Sequence, residues 1–172
     1  VLIVGLGSIA KKHIAALRQL EPATEIWAMR SGLESAPYEN VKDIYTWDEL
    51  PAALDFIIIS NHSIAHHETI KKALQYKLPL FIEKPSITNL DGAYQLVQDA
   101  EGAGVITYVA CNLRFHPCIA FMKEKVNRGE EKINEVNIYC GSFLPEWRQG
   151  REFRKVYSAN EEMGGGVHLD LI

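Results

Sequence analysis

Val1-Leu2-Ile3-Val4-Gly5-Leu6-Gly7-Ser8-Ile9-Ala10-Lys11-Lys12-His13-Ile14 is the stretch on which the fold turns. Four consecutive apolar residues rich in β-branched types predict a strand buried on both faces. Gly5-x-Gly7-x-x-Ala10 then carries the chain from strand into helix. Each small residue in that spacing has a physical task. Gly5 permits the tight turn, Gly7 lets the backbone approach a pyrophosphate, and Ala10 lets the helix pack closely on the strand. The helix N-terminus offers free N–H groups to the anion. On this reading Gly5, Gly7, Ser8, Ile9 and Ala10 contact a dinucleotide. A glycine pair after a strand is common by itself; the ordered strand, turn and helix make it specific.

Working outward, Ile9, Ile14, Leu17 and Leu20 recur at helical spacing and Pro22 closes the helix. Residues 25–30 predict a second strand, whose end meets the adenosine ribose in folds of this kind. An acidic residue there selects NAD, whereas this chain places Arg30-Ser31-Gly32. A cation and a hydroxyl in a turn favour a 2′-phosphate, hence NADP, with Glu34 as an alternative ribose ligand that would keep NAD open. Residues 41–46 predict a third strand and 47–51 a helical turn. Asp55 to Ser60 is nearly all apolar and predicts a central fourth strand. Asn61-His62-Ser63 forms the turn after it, and a helix runs from His66 to Tyr76. His62, His66 and His67 have a metal-like look, but no carboxylate or cysteine completes a ligand set. The expectation is no metal, with Ser60, Asn61, His62 and His66 beside the cofactor.

Leu80 to Pro85 predicts a fifth strand with Lys84 at its carboxyl end, where ligands of open α/β sheets bind, and a proline open to a cis bond. Asn89 is expected to cap the next helix, through about Gly102, and residues 105–110 form a sixth strand. Strands alternating with helices at this spacing predict a parallel, doubly wound α/β sheet of Rossmann type. The character shifts at Asn112-Leu113-Arg114-Phe115-His116-Pro117. A helix from Pro117 to Gly129 leads to residues 133–140, which alternate as a strand of an antiparallel sheet does. Gly164-Gly165-Gly166 precedes the start of another helix at residues 167–172. The expected domains are a dinucleotide-binding unit over 1–115 and the opening of an α+β substrate unit over 116–172.

Eighteen basic and 22 acidic residues leave a net charge of −4. No basic stripe invites nucleic acid, and no apolar run approaches the ~20 residues that span a bilayer. Cys111, Cys118 and Cys140 are odd in number and lack metal-like pairing, which fits a reducing cytoplasm.

Four separated motifs, Gly5-Leu6-Gly7-Ser8-Ile9-Ala10, Glu83-Lys84-Pro85, Asn112 to Pro117 and Gly164 to Asp170, resemble those of the Gfo/Idh/MocA family of NAD(P)-dependent sugar and polyol oxidoreductases. The resemblance runs over essentially the whole chain, and Glu83-Lys84-Pro85 is its most specific part. It implies a nucleotide domain followed by an α+β domain with a large open sheet that holds substrate and often mediates oligomerisation, here cut short. It implies that Glu83 and Lys84 stand at the cofactor, that Lys84 also touches the substrate hydroxyl, and that Asp170 matches the Asp that precedes an acid/base His. That His would fall just beyond Ile172. His168 sits on a different helical face from Asp170 and is read as packing.

The resulting expectation is reversible hydride transfer between NADP or NAD and a carbinol carbon of a sugar, polyol or nucleotide-sugar. Lys84 and Asp170 are the catalytic residues, Asn112 stands at the cofactor, and Lys84, Arg114 and Asp170 meet the substrate. Arg114 serves equally well as half of a structural salt bridge. The 172-residue chain is expected to be inactive without the remainder and to self-associate. The rival reading is a non-catalytic NADP-binding module, a redox sensor or a degenerate subunit. A methyltransferase is disfavoured, since it gives Glu83-Lys84-Pro85 no role.

Overall fold

The structure, a computed structural model, describes residues 1–32, 36–129, 132–147, 150, 152–166 and 168. Six parallel strands form one sheet: β1 (Leu2–Val4), β2 (Trp27–Met29), β3 (Lys42–Ile44), β4 (Ile57–Ile59), β5 (Leu80–Ile82) and β6 (Thr107–Val109). Their order is β3-β2-β1-β4-β5-β6. This is the doubly wound Rossmann order, whose direction of winding reverses between β1 and β4. The helices α1 (Ser8–Leu20), α2 (His66–Leu74) and α3 (Ala93–Gly102) connect the strands, and α4 (Pro117–Arg128) follows the sheet.

The unbroken apolar runs in β1 and β4 are explained by burial from both sides. Alternate residues supply two cores. Ile3 and Ile58 face Ala10 and Ile14 of α1, together with Val1 and Ile26. Leu2, Val4, Ile57 and Ile59 face Ile70 and Leu74 of α2 and Leu96 of α3. Ala10 is fully buried, as its place in the glycine motif requires. Full burial of each such aliphatic side chain contributes about 1.5–3 kcal/mol.

Two features depart from the sequence reading. Asn89 does not cap α3: its Oδ1 accepts from the Asp91 N–H at 2.9 Å, closing a local turn. Gly92, with φ of 73°, occupies the cap position instead, because the chain there needs a left-handed residue. Residues 133–140 form no strand. A strand needs a neighbour for its N–H and C=O groups, and no described residue lies alongside to pair with it. Ile133, Val136, Ile138 and Tyr139 are accordingly exposed. The helix expected at 167–172 falls almost wholly outside the described residues, and so do Glu34 and Asp170. By contrast α4 begins and ends as expected, with Pro117 in its first turn and Gly129 at φ 66° as its cap.

Among the described residues no helix is long and apolar enough to cross a membrane. Ile59, with no exposed surface, sits where the two halves of the sheet meet. Replacing it with Ala removes the buried side chain and leaves a cavity, so urea denaturation is expected to show a loss of about 2–5 kcal/mol. A loss under about 0.5 kcal/mol would place Ile59 outside the core.

Candidate functional site

In a parallel sheet every strand delivers its next loop to the same edge, and ligands bind there beside the point where the winding reverses. At that edge β1 gives way to Gly5 and β4 to Ser60. The two ends are tied together: Ser60 N–H donates to the Val4 carbonyl at 2.9 Å, and Ser60 Oγ donates to the Gly5 carbonyl at 3.0 Å. Gly5 N–H in turn donates to the Met29 carbonyl at 3.0 Å. Gly5 has φ of 85°, and a Cβ on it would stand 2.6 Å from Asn61 Cα. No other residue fits there.

Gly7 differs. Among the described residues a Cβ on it would meet nothing within 4 Å. It caps α1 in extended conformation without a side-chain hydrogen bond, and the first turn of the helix holds no acidic residue. The N–H groups of Ser8, Ile9 and Ala10 therefore lack intrahelical acceptors, which suits an anion. The open space over Gly7 fits a pyrophosphate laid against backbone. Asn61 adds a polar group of its own: Nδ2 donates to Thr69 Oγ1 at 2.8 Å, while the buried Oδ1 has no hydrogen-bond partner among the described residues. An acceptor left in this state is costly unless a ligand donor meets it.

Glu83 and Lys84 follow β5 at the same edge, and the Lys84–Pro85 bond is cis. Glu83 is anchored on both sides. Its Oε1 lies 2.7 Å from His13 Nε2 of α1, and its Oε2 accepts from the Lys84 N–H at 3.2 Å. The His13 ring meets Phe81 edge-on at 5.3 Å. The helix that begins at the glycine loop is thus linked to the strand that ends in Lys84.

The sequence places His66 beside the cofactor, but it is 1% exposed and sits beneath the loops. Nδ1 lies 2.8 Å from the Pro85 carbonyl oxygen and Nε2 3.2 Å from that of Asn61. It braces the two segments rather than lining the cleft. Burial pushes its imidazole below the ordinary histidine range, outweighing the carbonyls that favour the charged ring. His62 remains exposed and stacks on Tyr157, with centroids 5.7 Å apart.

Tyr157 belongs to a segment that folds back onto the turn after β4. Its hydroxyl hydrogen-bonds Ser63 Oγ and donates to the Gly164 carbonyl at 3.0 Å. The glycines permit this approach: a Cβ on Gly164 would stand 2.5 Å from Ser63 Oγ, and one on Gly165 would stand 2.0 Å from the Tyr157 carbonyl oxygen. The run that precedes Asp170 in sequence is therefore docked beside Ser63 and Ile64.

Arg30 and Ser31 follow β2 at the carboxyl edge, with Ser31 exposed. Arg30, expected to meet a 2′-phosphate, has its Nη1 at 3.0 and 3.1 Å from the two carboxylate oxygens of Asp43. Asn112 and Arg114 lie exposed in the 3-10 turn after β6. Arg114 makes no ion pair among the described residues; its guanidinium lies over Phe115 at 5.8 Å, facing a shallow groove along α4. Cys111, Cys118 and Cys140 are free thiols. Among the described residues no three histidine, cysteine or carboxylate groups come together as a metal set.

Sequence reasoning missed His13, Asp43, Ser63 and Tyr157. His13 carried a signal, since it stands three residues after Ala10 and so shares the sheet-facing side of α1. The other three are brought in by tertiary contacts that no local pattern announces.

A family model for the GFO_IDH_MocA oxidoreductases, described as having an NAD-binding Rossmann fold, matches residues 1–111. The chain is 25% identical over 176 residues to scyllo-inositol 2-dehydrogenase (NAD(+)) of Bacillus subtilis, covering 98% of this chain and 49% of that protein. It is 24% identical over 134 residues to inositol 2-dehydrogenase of Paracoccus denitrificans, covering 72% and 40%. Among solved structures, the WlbA dehydrogenase of Chromobacterium violaceum in complex with NADH and UDP-GlcNAcA aligns with a TM-score of 0.67 at 19% identity, over 74% of this chain and 39% of that one. The chain spans about half the length of the curated relatives it matches.

Two outcomes test this geometry. Gly7→Val is expected to leave the melting temperature nearly unchanged, because its side chain enters open space, yet to abolish binding of NADH and NADPH. Retained affinity would remove the loop from the site. For His66 the folded pKa lies below the unfolded value of about 6.5, so the unfolded chain takes up the proton more readily. The stability that the neutral ring allows is complete above about pH 7 and is lost as pH falls through about 6.5. Melting temperatures between pH 7.5 and 5.5 should therefore fall more steeply for the native protein than for His66→Gln; equal slopes would contradict a buried neutral His66.

Proposed function

Because the chain belongs to the Gfo/Idh/MocA oxidoreductase family, we propose that it binds a nicotinamide dinucleotide and serves hydride transfer to or from a carbinol carbon of a sugar, polyol or nucleotide-sugar. One observation carries the reading. The glycine loop, the Ser60-Asn61-His62 turn and the Glu83-Lys84 segment converge on one sheet edge, beside an open space above Gly7.

The dinucleotide, when bound, supplies or accepts the hydride. The protein has three remaining tasks: to hold the cofactor, to place the substrate carbon, and to manage the hydroxyl proton and the charge on its oxygen. Gly5, Gly7 and the N–H groups of Ser8, Ile9 and Ala10 take the pyrophosphate. Ser60, Asn61, His62 and Asn112 border the nicotinamide end, with Asn61 Oδ1, unpartnered among the described residues, as an acceptor for a ligand N–H or O–H. Lys84 stabilises negative charge developing on the substrate oxygen, a role suited to a cation on a rigid strand end. Glu83 fixes the backbone of Lys84 through the contact to His13. Arg114 is assigned to substrate binding by its place in the turn after β6. Asp170 is assigned to substrate orientation by its place after the glycine run.

Residues 116–172 open the substrate-bearing unit in this proposal, and the 172-residue chain alone binds cofactor without turning over. Exposed Phe115, Phe121, Met122 and Val126 suit burial in a homo-oligomer. Three exposed free thiols suit a reducing cytoplasm.

Lys84→Ala in the full-length protein tests the mechanism, with polyols and nucleotide-sugars as substrates and NAD and NADP as oxidants. Turnover is expected to fall about 100-fold or more, while NADH affinity changes less than about threefold. Near-normal turnover would remove Lys84 from the chemistry.

A further inference from the structure

We propose that Asp43 determines which nicotinamide dinucleotide the site accepts, by neutralising Arg30 and so favouring the cofactor with a free 2′-hydroxyl. The inference rests on the dinucleotide reading above and deepens it. Arg30 is the residue immediately after β2, and its N–H donates to the Ile44 carbonyl at 2.8 Å. The neighbouring Met29 carbonyl accepts from Gly5 N–H, so the root of Arg30 stands directly beside the glycine loop. That is the place from which an arginine accommodates a 2′-phosphate.

The guanidinium is already committed. Asp43 is paired in register with Ala28 across β2 and β3. Side chains alternate along a strand, which puts Asp43 on the same face of the sheet as Arg30. Both carboxylate oxygens lie within 3.1 Å of Arg30 Nη1, and the Ala36 carbonyl accepts from Nη1 and Nη2 at 3.4 Å. The pair is well sheltered, with the Arg30 side chain 10% and the Asp43 side chain 16% exposed. Salt and solvent screen such a pair far less than an exposed one.

A 2′-phosphate brought to this guanidinium would share it with a carboxylate, and the two anions would repel each other at short range. A 2′-hydroxyl carries no charge and meets no such penalty. Arg30 in this arrangement holds the end of β2 in place and offers little net positive charge. The arginine by itself favours NADP; the arginine with its partner favours NAD.

The test is titration of NADH and of NADPH into the native protein and into Asp43→Asn, read by nicotinamide fluorescence. The native protein is expected to bind NADH about tenfold more tightly than NADPH. Asp43→Asn should raise NADPH affinity about tenfold while moving NADH affinity less than about threefold, since the freed guanidinium then makes charge-assisted bonds to phosphate. Adding Arg30→Gln to Asp43→Asn should cancel the gain. If Asp43→Asn is poorly folded, Asp43→Ser removes the same charge with a smaller side chain and carries the same expectation. The proposal is overturned if the native protein prefers NADPH, or if the affinity ratio is unchanged by loss of the carboxylate while both cofactors still bind. Failure of the native protein to bind either cofactor overturns the dinucleotide reading and this inference with it.

Discussion

The structure depends on how closely the ends of β1 and β4 approach each other. Gly5 sits so near Asn61 that a single added carbon would stand 2.6 Å from its Cα. Ser60 locks the approach by bonding to both Val4 and Gly5 through its N–H and hydroxyl. The winding of the sheet reverses between these two strands, so their carboxyl ends bound the crevice in which ligands of such folds lie. A residue larger than glycine would force the strands apart and spoil the loop and the central sheet together.

Around that seam, the polar side chains act as braces between elements. His13 and Glu83 join the first helix to the segment after the fifth strand, so the helix that follows the glycine loop and the segment that carries Lys84 are tied together. The buried His66 joins the turn after β4 to the segment after Lys84. Tyr157 and Ser63 fasten the glycine-rich run to the same turn. Such contacts are modest one by one, but each ties a loop to the rigid sheet. Catalytic groups on loops need that support, because small displacements are costly to rate.

The fold was legible in the sequence because its signals are local. Apolar runs of buried strand, a glycine-spaced turn and helical periodicity over residues 8–20 all act within one element and agree with one another. The glycine loop of the candidate site was legible as a strand-to-helix turn for the same reason. What the sequence hid is long-range. Arg30 reads as an available cation until β3 is laid alongside β2 and brings Asp43 to it. His66 reads as a cleft residue until the packing shows it buried beneath two loops. The alternation over 133–140 predicts a strand, but pattern alone does not supply a pairing neighbour, and among the described residues none is present.

The central claim is that the edge formed by the glycine loop and the end of β4 receives a nicotinamide dinucleotide. It is tested most directly by recording amide resonances of the ¹⁵N-labelled protein while NADH is added. The account predicts saturable shifts concentrated at Gly7, Ser8, Ile9 and Ala10 and at Ser60, Asn61 and His62, with the distant faces of α2 and α4 unmoved. Saturable binding that leaves those amides in place, or no binding at all, would contradict it.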